Sequence, residues 1–328
     1  MKKSPSNRQK TSSEEPDFGE RRVATNIISA TDEPTDQAVG LVRSYVELAK
    51  PRISIMVLLT VAVAGLVSLP QTVAGSGWQL VHAMIGLLLI SGSGCALNQY
   101  LERYVDWMMV RTCKRPLPAQ RLSSVQVAVF GAVTFGIGLA WLIALVNWQT
   151  ALIAGGNWIL YVWIYTPLKL RSWLNTYVGA VAGALPVLIG STAVCDGQVT
   201  LGAWLLFAVL FIWQFPHFMA IAWLYRGEYA EAGIRMATTV DATGKLAGWH
   251  ALAFCLMLFP VTVAAIWPAN LINVVLLTLA LGLAVWYLKA AVVFWKKTDT
   301  VTSRRLFRVS LGYLTAYLAL LSICALVQ

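Results

Sequence analysis

Three side chains that carry oxygen atoms recur every four residues near the end of the second apolar segment. Asn98, Glu102 and Asp106 stand at positions i, i+4 and i+8, and such positions form one stripe on a helix. Mg²⁺ binds oxygen ligands and usually takes one or two carboxylates together with substrate phosphates. The stripe therefore predicts catalytic ligands for a magnesium ion.

A cluster of cations follows the stripe. Arg111, Lys114 and Arg115 lie just before Pro116. Diphosphate groups are bound by a metal ion that bridges their oxygens and by Lys or Arg side chains that stabilise the leaving charge. The stripe and the cluster together predict a diphosphate site. The alternative remains open that this is a solvated loop at the membrane surface, whose acids pair with its Arg residues.

A second motif ends the fourth apolar segment. Tyr165, Lys169 and Arg171 stand together in the string YTPLKLR. Taken alone, this composition is typical of an aromatic and cationic anchor at the membrane interface.

A third motif lies in the sixth apolar segment and the loop after it. Pro216 predicts a kink that frees backbone carbonyls near His217. A His in an apolar segment either forms a hydrogen bond between helices or acts as a ligand or catalyst, and both interpretations stay open. Glu228 and Glu231, at i and i+3, can hold a second Mg²⁺ unless they belong to a solvated loop helix.

The segments that must position these residues are apolar and long. Of the 328 residues, 58% are apolar and 12% charged, about half the charged share of a soluble domain. Runs of 18 or more apolar residues span a bilayer as helices, since backbone polar groups must pair internally in lipid. The sequence predicts nine such spans, near 53–70, 79–97, 125–146, 149–166, 174–194, 202–224, 246–267, 271–294 and 307–327.

The charges alternate between the loops. All 25 Lys and Arg residues lie in the N-terminal stretch, in the loops 98–124, 167–173, 225–245 and 295–306, or at the adjoining helix ends. The net charge of +10 is therefore interpreted as a topology signal rather than as a nucleic-acid surface. The positive-inside rule predicts an inside N-terminus and an outside C-terminus, with the motifs on the cytoplasmic face.

The first 40 residues are polar and without apolar periodicity, which predicts a disordered tail before a transmembrane domain over 41–328. The tail holds seven acidic residues, which is unusual for a mitochondrial presequence, so the bacterial inner membrane is favoured over the mitochondrial one. Apart from His217, no ionisable residue falls in the middle of a span. That argues against an ion-coupled transporter and for chemistry at one membrane face.

The ordered motifs resemble the protoheme IX farnesyltransferase family, within the intramembrane aromatic prenyltransferases. The resemblance covers about residue 41 to the end. It rests on ELAKPRISIMVLLT (47–60), the 98–106 stripe with RTCKRPLP, YTPLK (165–169), WQFPHFMAIA and EYAEAGI.

The resemblance implies an all-α membrane protein, with nine helices bundled around a central cavity that opens to lipid. It implies transfer of the farnesyl group of farnesyl diphosphate to a vinyl group of heme b, which makes heme O for heme–copper oxidases. Mg²⁺ would be the cofactor, and the partners would be farnesyl diphosphate, heme b, the bilayer, and heme A synthase or oxidase assembly factors. No nucleic-acid partner is expected.

The resemblance also assigns roles to residues. Catalytic roles, metal binding included, fall to the 98–106 stripe, with Lys169 and His217 also catalytic and His217 placed at the heme or the acceptor vinyl. Glu228 and Glu231 form the second metal motif. The predicted diphosphate contacts are Arg52, Arg103, Arg111, Lys114, Arg115, Tyr165 and Arg171.

Three positions depart from the pattern of the family. Glu102 stands where Asp is usual, Gly227-Glu228 replaces a pair of Asp residues, and Arg235 replaces a Pro. The extra methylene of Glu alters metal geometry, which concerns mainly the second metal site. The alternative functions are prenyl transfer to a quinone precursor or chlorophyllide, a heme-handling membrane protein, and an assembly factor without catalysis.

Overall fold

Helices are the expected outcome for segments whose backbone N–H and C=O groups must all be bonded within the segment. The computed structural model describes residues 34–69, 76–267 and 270–327, and no strand occurs among them. The α-helices are α1 (Pro34–Leu48), α2 (Pro51–Ser68), α3 (Ser76–Leu101), α4 (Arg103–Met108), α5 (Ser124–Leu145), α6 (Trp148–Ile159), α7 (Thr166–Leu168), α8 (Asn175–Ala184), α9 (Pro186–Val194), α10 (Leu201–Leu224), α11 (Arg226–Glu231), α12 (Ala237–Val240), α13 (Lys245–Ala265), α14 (Leu271–Lys296) and α15 (Thr300–Val327).

Within the described ranges, nine helical stretches are long and apolar enough to cross a membrane, which confirms the predicted nine-span bundle. They are Pro51–Ser68, Gly77–Leu101, Ser124–Leu145, Trp148–Leu168, Asn175–Val194, Leu201–Leu224, Lys245–Ala265, Leu271–Lys296 and Thr300–Leu326. The chain is thus an integral multi-pass membrane protein. That the two ends of the bundle lie on opposite faces, with the N-terminus inside, remains a prediction.

The last helix begins earlier than its hydropathy predicts, at Thr300 rather than near 307. Asp299 caps it, because its carboxylate accepts a bond of 2.8 Å from the Thr302 N–H while the Thr302 hydroxyl accepts one from the Asp299 N–H. Ser303 and Leu306 are buried in this first part. The helix therefore begins with a charged turn at the surface, which a prediction from hydropathy alone leaves outside the span.

The N-terminal prediction meets the structure only in part. The polar tail predicted over 1–40 lies outside the described residues as far as residue 33, and α1 begins at Pro34. The chain divides into a unit of Met1–Val39 and a unit of Gly40–Gln328. The bundle belongs to the second unit.

Pro186, Pro216 and Pro260 fall inside predicted spans, where a proline favours a kink, and one of the three coincides with a helix break. α8 ends at Ala184 and α9 begins at Pro186, whereas Pro216 and Pro260 lie inside the continuous helices α10 and α13. A second irregularity had no sequence signal: Leu160–Tyr165, between α6 and α7, is a π-helix. Such insertions are rare and concentrate at functional sites.

The spans pack around two buried clusters. α10, α13, α14 and α15 enclose a large core whose biggest fully buried side chains include Tyr287, Tyr313 and Phe294. α3, α5, α6 and α9 enclose a smaller core around Leu87 and Leu142. α2 contributes to both cores, and a cavity lies between α2, α3, α6, α8 and α10.

Candidate active site

The 98–106 stripe straddles a break between two helices. α3 ends at Leu101 and α4 begins at Arg103, with Glu102 between them at φ −90° and ψ 7°. The backbone nevertheless keeps helical bonding, because the Glu102 N–H donates to the Asn98 carbonyl at 2.9 Å and the Asp106 N–H to the Glu102 carbonyl at 2.7 Å. The three oxygen-bearing side chains therefore stay at the spacing that the sequence predicts.

The first member of the stripe is bonded to a lysine that the sequence analysis did not select. Lys50 Nζ donates to Asn98 Oδ1 at 3.3 Å, and Asn98 Nδ2 donates to Thr166 Oγ1 at 3.1 Å. Burial lowers the pKa of Lys50 below its usual value. Asn98 is buried as well, so the pair lies inside the bundle mouth rather than in the solvated loop.

The backbone at Lys50 accounts for this position. Lys50 has φ 50° and ψ 63°, a left-handed conformation that costs a residue other than Gly about 1–2 kcal/mol. It lies between the end of α1 and Pro51, where α2 starts. This reversal of the chain turns the Lys50 side chain toward α3. The feature of the sequence that could have indicated an inward-facing Lys50 is its place directly before the Pro that opens a span.

The second member is Glu102, which binds Lys169. Lys169 Nζ donates to Glu102 Oε1 at 2.7 Å and lies 4.6 Å from the centre of the Tyr165 ring. The side chains of Lys169 and Glu102 are only 18% and 12% exposed. Burial by itself lowers the pKa of Lys169, but the Glu102 carboxylate and the Tyr165 and Tyr161 hydroxyls outweigh it and hold that pKa above its usual value. Lys169 therefore stays charged.

The third member is Asp106, the most enclosed carboxylate of the site. Arg115 Nη1 donates to both Asp106 oxygens, at 2.7 and 2.6 Å, and the Asp106 side chain is 0% exposed. Burial raises the pKa of Asp106, and the Arg115 guanidinium opposes that rise. The acid does pair with a loop Arg, as the alternative interpretation expects, but the carboxylate is buried and the Arg115 side chain is only 25% exposed.

The second acidic motif approaches this group through Arg111. The Arg111 N–H donates to Glu228 Oε2 at 3.4 Å, and its guanidinium lies 4.7 Å from the centre of the Tyr225 ring. Arg111 Nη2 also donates to the Tyr229 hydroxyl at 3.5 Å. One arginine therefore joins the loop after α4 to α11, which the sequence separates by more than 100 residues.

Several predicted residues lie further out. Arg103 folds back over the junction of α3 and α4, where it donates to the Tyr100 carbonyl at 2.8 Å and stacks on the Tyr100 and Tyr104 rings. The Arg171 backbone carbonyl accepts a bond of 3.3 Å from Arg235 Nη1. Among the predicted residues, those that are exposed are Arg52, Arg111, Lys114, Arg171 and Glu231.

His217 lies between α10 and α15. Its Nδ1 is 2.8 Å from Ser310 Oγ, and its ring stacks on Trp213 and Phe307, each with centroids 5.0 Å apart. The Trp213 carbonyl, four residues before His217, accepts a bond of 3.1 Å from the Tyr287 hydroxyl. The helical bond that Pro216 removes is the one to the Ile212 carbonyl, so the predicted freeing of carbonyls near His217 stays a prediction.

A cavity of about 270 Å³ opens beneath the ionic group. Tyr161 and Tyr165, whose rings stack 5.6 Å apart, connect its wall to Lys169. The wall is mostly apolar, and small residues bring the helices close: a Cβ on Gly179 would lie 2.6 Å from the Tyr165 ring. Its lining residues are Ile53, Val57, Leu87, Ile90, Ser91, Gly94, Cys95, Ala154, Asn157, Trp158, Tyr161, Tyr165, Gly179, Ala182, Gly183, Pro186, Gln214 and Phe218.

The donors at the cavity mouth are chemically suited to Mg²⁺, although the described residues contain no cluster of three His, Cys, Asp or Glu side chains that would hold a metal without a substrate. Asn98, Glu102 and Asp106 offer only oxygen ligands. Mg²⁺ is usually bound by one or two carboxylates and completes its shell with substrate phosphates and water. The donor set therefore fits an ion that arrives with a diphosphate.

Comparisons with known proteins agree with this geometry. Residues 57–323 match the UbiA prenyltransferase family. The chain is 40% identical over 287 residues to a protoheme IX farnesyltransferase of Rhodopirellula baltica, covering 85% of this chain and 99% of that protein. It is 33% identical over 282 residues to the mitochondrial protoheme IX farnesyltransferase of Arabidopsis thaliana, covering 84% and 64%.

Solved structures show the same fold at low identity. A digeranylgeranylglyceryl phosphate synthase superposes with a TM-score of 0.73 at 14% identity, covering 88% of this chain and 99% of that one. A UbiA homologue from Archaeoglobus fulgidus, bound to GPP and Mg²⁺, superposes with a TM-score of 0.64 at 15% identity, covering 85% and 99%. The resemblance seen in the motifs is thereby confirmed: the chain belongs to the UbiA prenyltransferase family.

Proposed function

We propose that this protein transfers the farnesyl group of farnesyl diphosphate to a vinyl group of heme b and so makes heme O for heme–copper oxidases. The observation that carries the proposal is the row of oxygen ligands, each bonded to a cation, at the mouth of an apolar cavity. Relatives at 33–40% identity over most of this chain are protoheme IX farnesyltransferases. The GPP and Mg²⁺ of the A. fulgidus homologue support the diphosphate and the metal.

The charges of the site suit a departing diphosphate. Lys50, Arg111, Arg115 and Lys169 supply four positive charges, against the three carboxylates of Glu102, Asp106 and Glu228. Asn98, Glu102 and Asp106 would hold Mg²⁺, with Glu228 and Glu231 as the proposed second motif. The metal, when bound, neutralises diphosphate charge.

The side chains of the protein divide the remaining work. Lys50, Lys169 and Arg115 stabilise the charge that develops on the leaving oxygen, and fixed charges in a water-poor site do this most effectively. The apolar wall below Tyr165 keeps water from the allylic carbon while the C–O bond breaks. The vinyl group then attacks that carbon, water adds to the resulting cation, and the proton passes to the released diphosphate.

The location is proposed in the same way. The loops that hold the site carry the Lys and Arg residues, so the positive-inside rule places the site on the cytoplasmic face. The bacterial inner membrane remains the favoured membrane, and heme A synthase or oxidase assembly factors remain the expected partners.

One assay tests the function. Purified protein in lipid vesicles is given farnesyl diphosphate and heme b, with Mg²⁺ or with a chelator, and the porphyrins are separated and weighed by mass spectrometry. We expect a hydroxyethylfarnesyl heme only when Mg²⁺ is present. Product from a quinone precursor or chlorophyllide in place of heme b would identify another acceptor. No product from any acceptor would leave a heme-handling or assembly role.

Lys50 and Arg52 form a matched pair for a first prediction. Lys50→Met should lower the rate about 10- to 100-fold, because a charged hydrogen bond contributes about 1.5–3 kcal/mol. Arg52→Met should lower it no more than about fivefold, because exposed ion pairs contribute at most about 1 kcal/mol. Initial rates at equal protein level measure both, and equal losses would contradict the inner position of Lys50.

A second prediction concerns His217. Its Nδ1 lies within hydrogen-bonding distance of Ser310, and its neighbours Gln214 and Phe218 line the cavity, although His217 itself does not. We expect His217→Ala to change the absorption spectrum of bound heme and to lower the rate severalfold, with a smaller effect from Ser310→Ala. An unchanged spectrum and rate would make His217 a hydrogen bond between helices only.

A further inference from the structure

The cavity below the ionic group has a closed end. Leu87 on α3 and Ala154 on α6 are the deepest lining residues of their helices. One turn further, each of four helices places a buried side chain of the smaller core beneath the cavity, namely Val61, Ala83, Ala151 and Ile189. A ligand that enters from the ionic group therefore meets a packed floor.

A polar layer lies under this floor. Thr150 Oγ1 donates to Thr192 Oγ1 at 2.9 Å, and Asn147 Nδ2 donates to the Thr192 carbonyl at 2.9 Å. Both Thr residues are buried. An apolar chain that reached this layer would break bonded polar groups, so the floor and the layer together end the path toward the opposite membrane face.

The depth of the cavity can be estimated along its walls. The lining runs from Cys95 to Leu87 on α3 and from Tyr165 to Ala154 along α6 and the π-helix, or about 12 Å and up to about 16 Å at 1.5 Å per residue. With carbon–carbon bonds of about 1.5 Å, an extended farnesyl chain spans about 14 Å, a geranyl chain about 9 Å and a geranylgeranyl chain about 19 Å. The farnesyl length lies between these two depths, whereas the geranyl chain is shorter than both and the geranylgeranyl chain is longer than both.

We propose that Leu87 and Ala154, the deepest lining residues above the packed floor, limit the length of the prenyl chain. Three isoprene units are then the longest chain that the cavity accepts. This inference rests on the proposed function, because it takes the diphosphate to lie at the Lys169 end. Leu87 and Ala154 are positioned as specificity residues: they would contact the far end of the chain and take no part in the chemistry.

Two substitutions test the floor in opposite directions. Ala154→Leu fills the deep end of the cavity and shortens it. This variant should raise the ratio of kcat/KM for geranyl over farnesyl diphosphate at least tenfold. Leu87→Ala deepens the cavity. This variant should raise the ratio of kcat/KM for geranylgeranyl over farnesyl diphosphate by a similar factor. A change of one methylene in an apolar pocket alters discrimination by about 10- to 200-fold, and these substitutions change more than one.

Each variant has a control on the same chain. Leu142→Ala makes a similar void in the same core, where Leu142 is fully buried but does not line the cavity. Gly156→Leu enlarges α6 on a side where an added Cβ meets no atom within 4 Å. Both controls should keep the preference for farnesyl diphosphate of the unaltered protein.

The possible outcomes distinguish a failure of the proposed chain-length limit from a failure of the proposed heme acceptor. Binding of non-hydrolysable thiolodiphosphate analogues of the three chain lengths to the purified protein gives a readout that needs no heme. Shifted binding ratios without any heme product would support the floor and refute the acceptor. Heme product with unshifted ratios in both variants would refute the floor, as would an unaltered protein that uses geranylgeranyl and farnesyl diphosphate equally well.

Discussion

Asp106→Asn should reduce heme O formation by about 10²–10³-fold per folded protein, a loss of the size seen when one electrostatic contact to a transition state is removed. It should also lower thermal stability, because Arg115 loses its charged partner. Asp106 is fully buried and holds the Arg115 guanidinium through both of its oxygens. The Asn side chain keeps the shape but has no charge to bind a metal or to orient that guanidinium. Turnover in vesicles, measured at equal protein level, checks the prediction.

Asp241→Asn is the matched control. Asp241 belongs to the same loop region as Glu228, but its carboxylate accepts bonds from the Thr243 and Leu246 N–H groups at 2.9 and 2.7 Å. Asn has only one accepting oxygen, so Asp241→Asn loses one of these bonds, but the turn takes no part in the stripe and turnover should stay full. Near-normal turnover in a folded Asp106→Asn variant would contradict the assignment of the stripe as the metal site.

Lys169→Met should lower turnover by at least about 10²-fold, and it should also lower thermal stability. Removing one partner of a buried ion pair leaves the other charge unpaired and costs about 3–5 kcal/mol. Glu102 is that partner here, at 2.7 Å. Activity and stability must therefore be measured separately, by product formation and by thermal unfolding in detergent.

The double variant Lys169→Met with Glu102→Gln distinguishes catalysis from structure. It removes both charges of the pair, so the cost of an unpaired buried charge disappears and stability should return toward that of the unaltered protein. Activity should not return, because the diphosphate then lacks a cation and the metal lacks a ligand. Recovery of turnover in the double variant would show that the Lys169–Glu102 pair is structural.

Both predictions depend on the same electrostatic arrangement. Every member of the stripe is bonded to a cation, and the participating carboxylates and cations are largely withdrawn from water. Charges held in such surroundings interact more strongly than charges at a wet surface. A solvated loop at the membrane surface would show only weak effects of the same substitutions.

Much of the candidate site was accessible from the sequence because its residues are close along the chain. The stripe at 98, 102 and 106 requires only helical spacing, which the backbone keeps through the break at Glu102. Arg115 lies nine residues after Asp106, near enough for a local loop to bring them together. Patterns of this kind need no knowledge of how helices pack.

Contacts between segments that are distant along the chain could not be predicted from the sequence. Lys50 reaches Asn98 because a left-handed turn before Pro51 reverses its direction, and Arg52, two residues later, is exposed instead. In a charged string such as KPR, residue type alone does not tell which cation faces inward. The π-helix, which places the Tyr161 and Tyr165 rings in a stack above the cavity, likewise left no mark in the hydropathy pattern.

The sequence by itself determined the nine spans, the single charged face and the family, because lipid requires long apolar helices and because the motifs are short and ordered. Only the tertiary structure decided which cation meets which oxygen and where the cavity ends. Those features arise where residues far apart in the chain, such as Lys169 with Glu102 or Leu87 with Ala154, are brought together by helix packing. Packing of that kind depends on side-chain shape across helices, which a linear pattern of apolar and charged residues does not record.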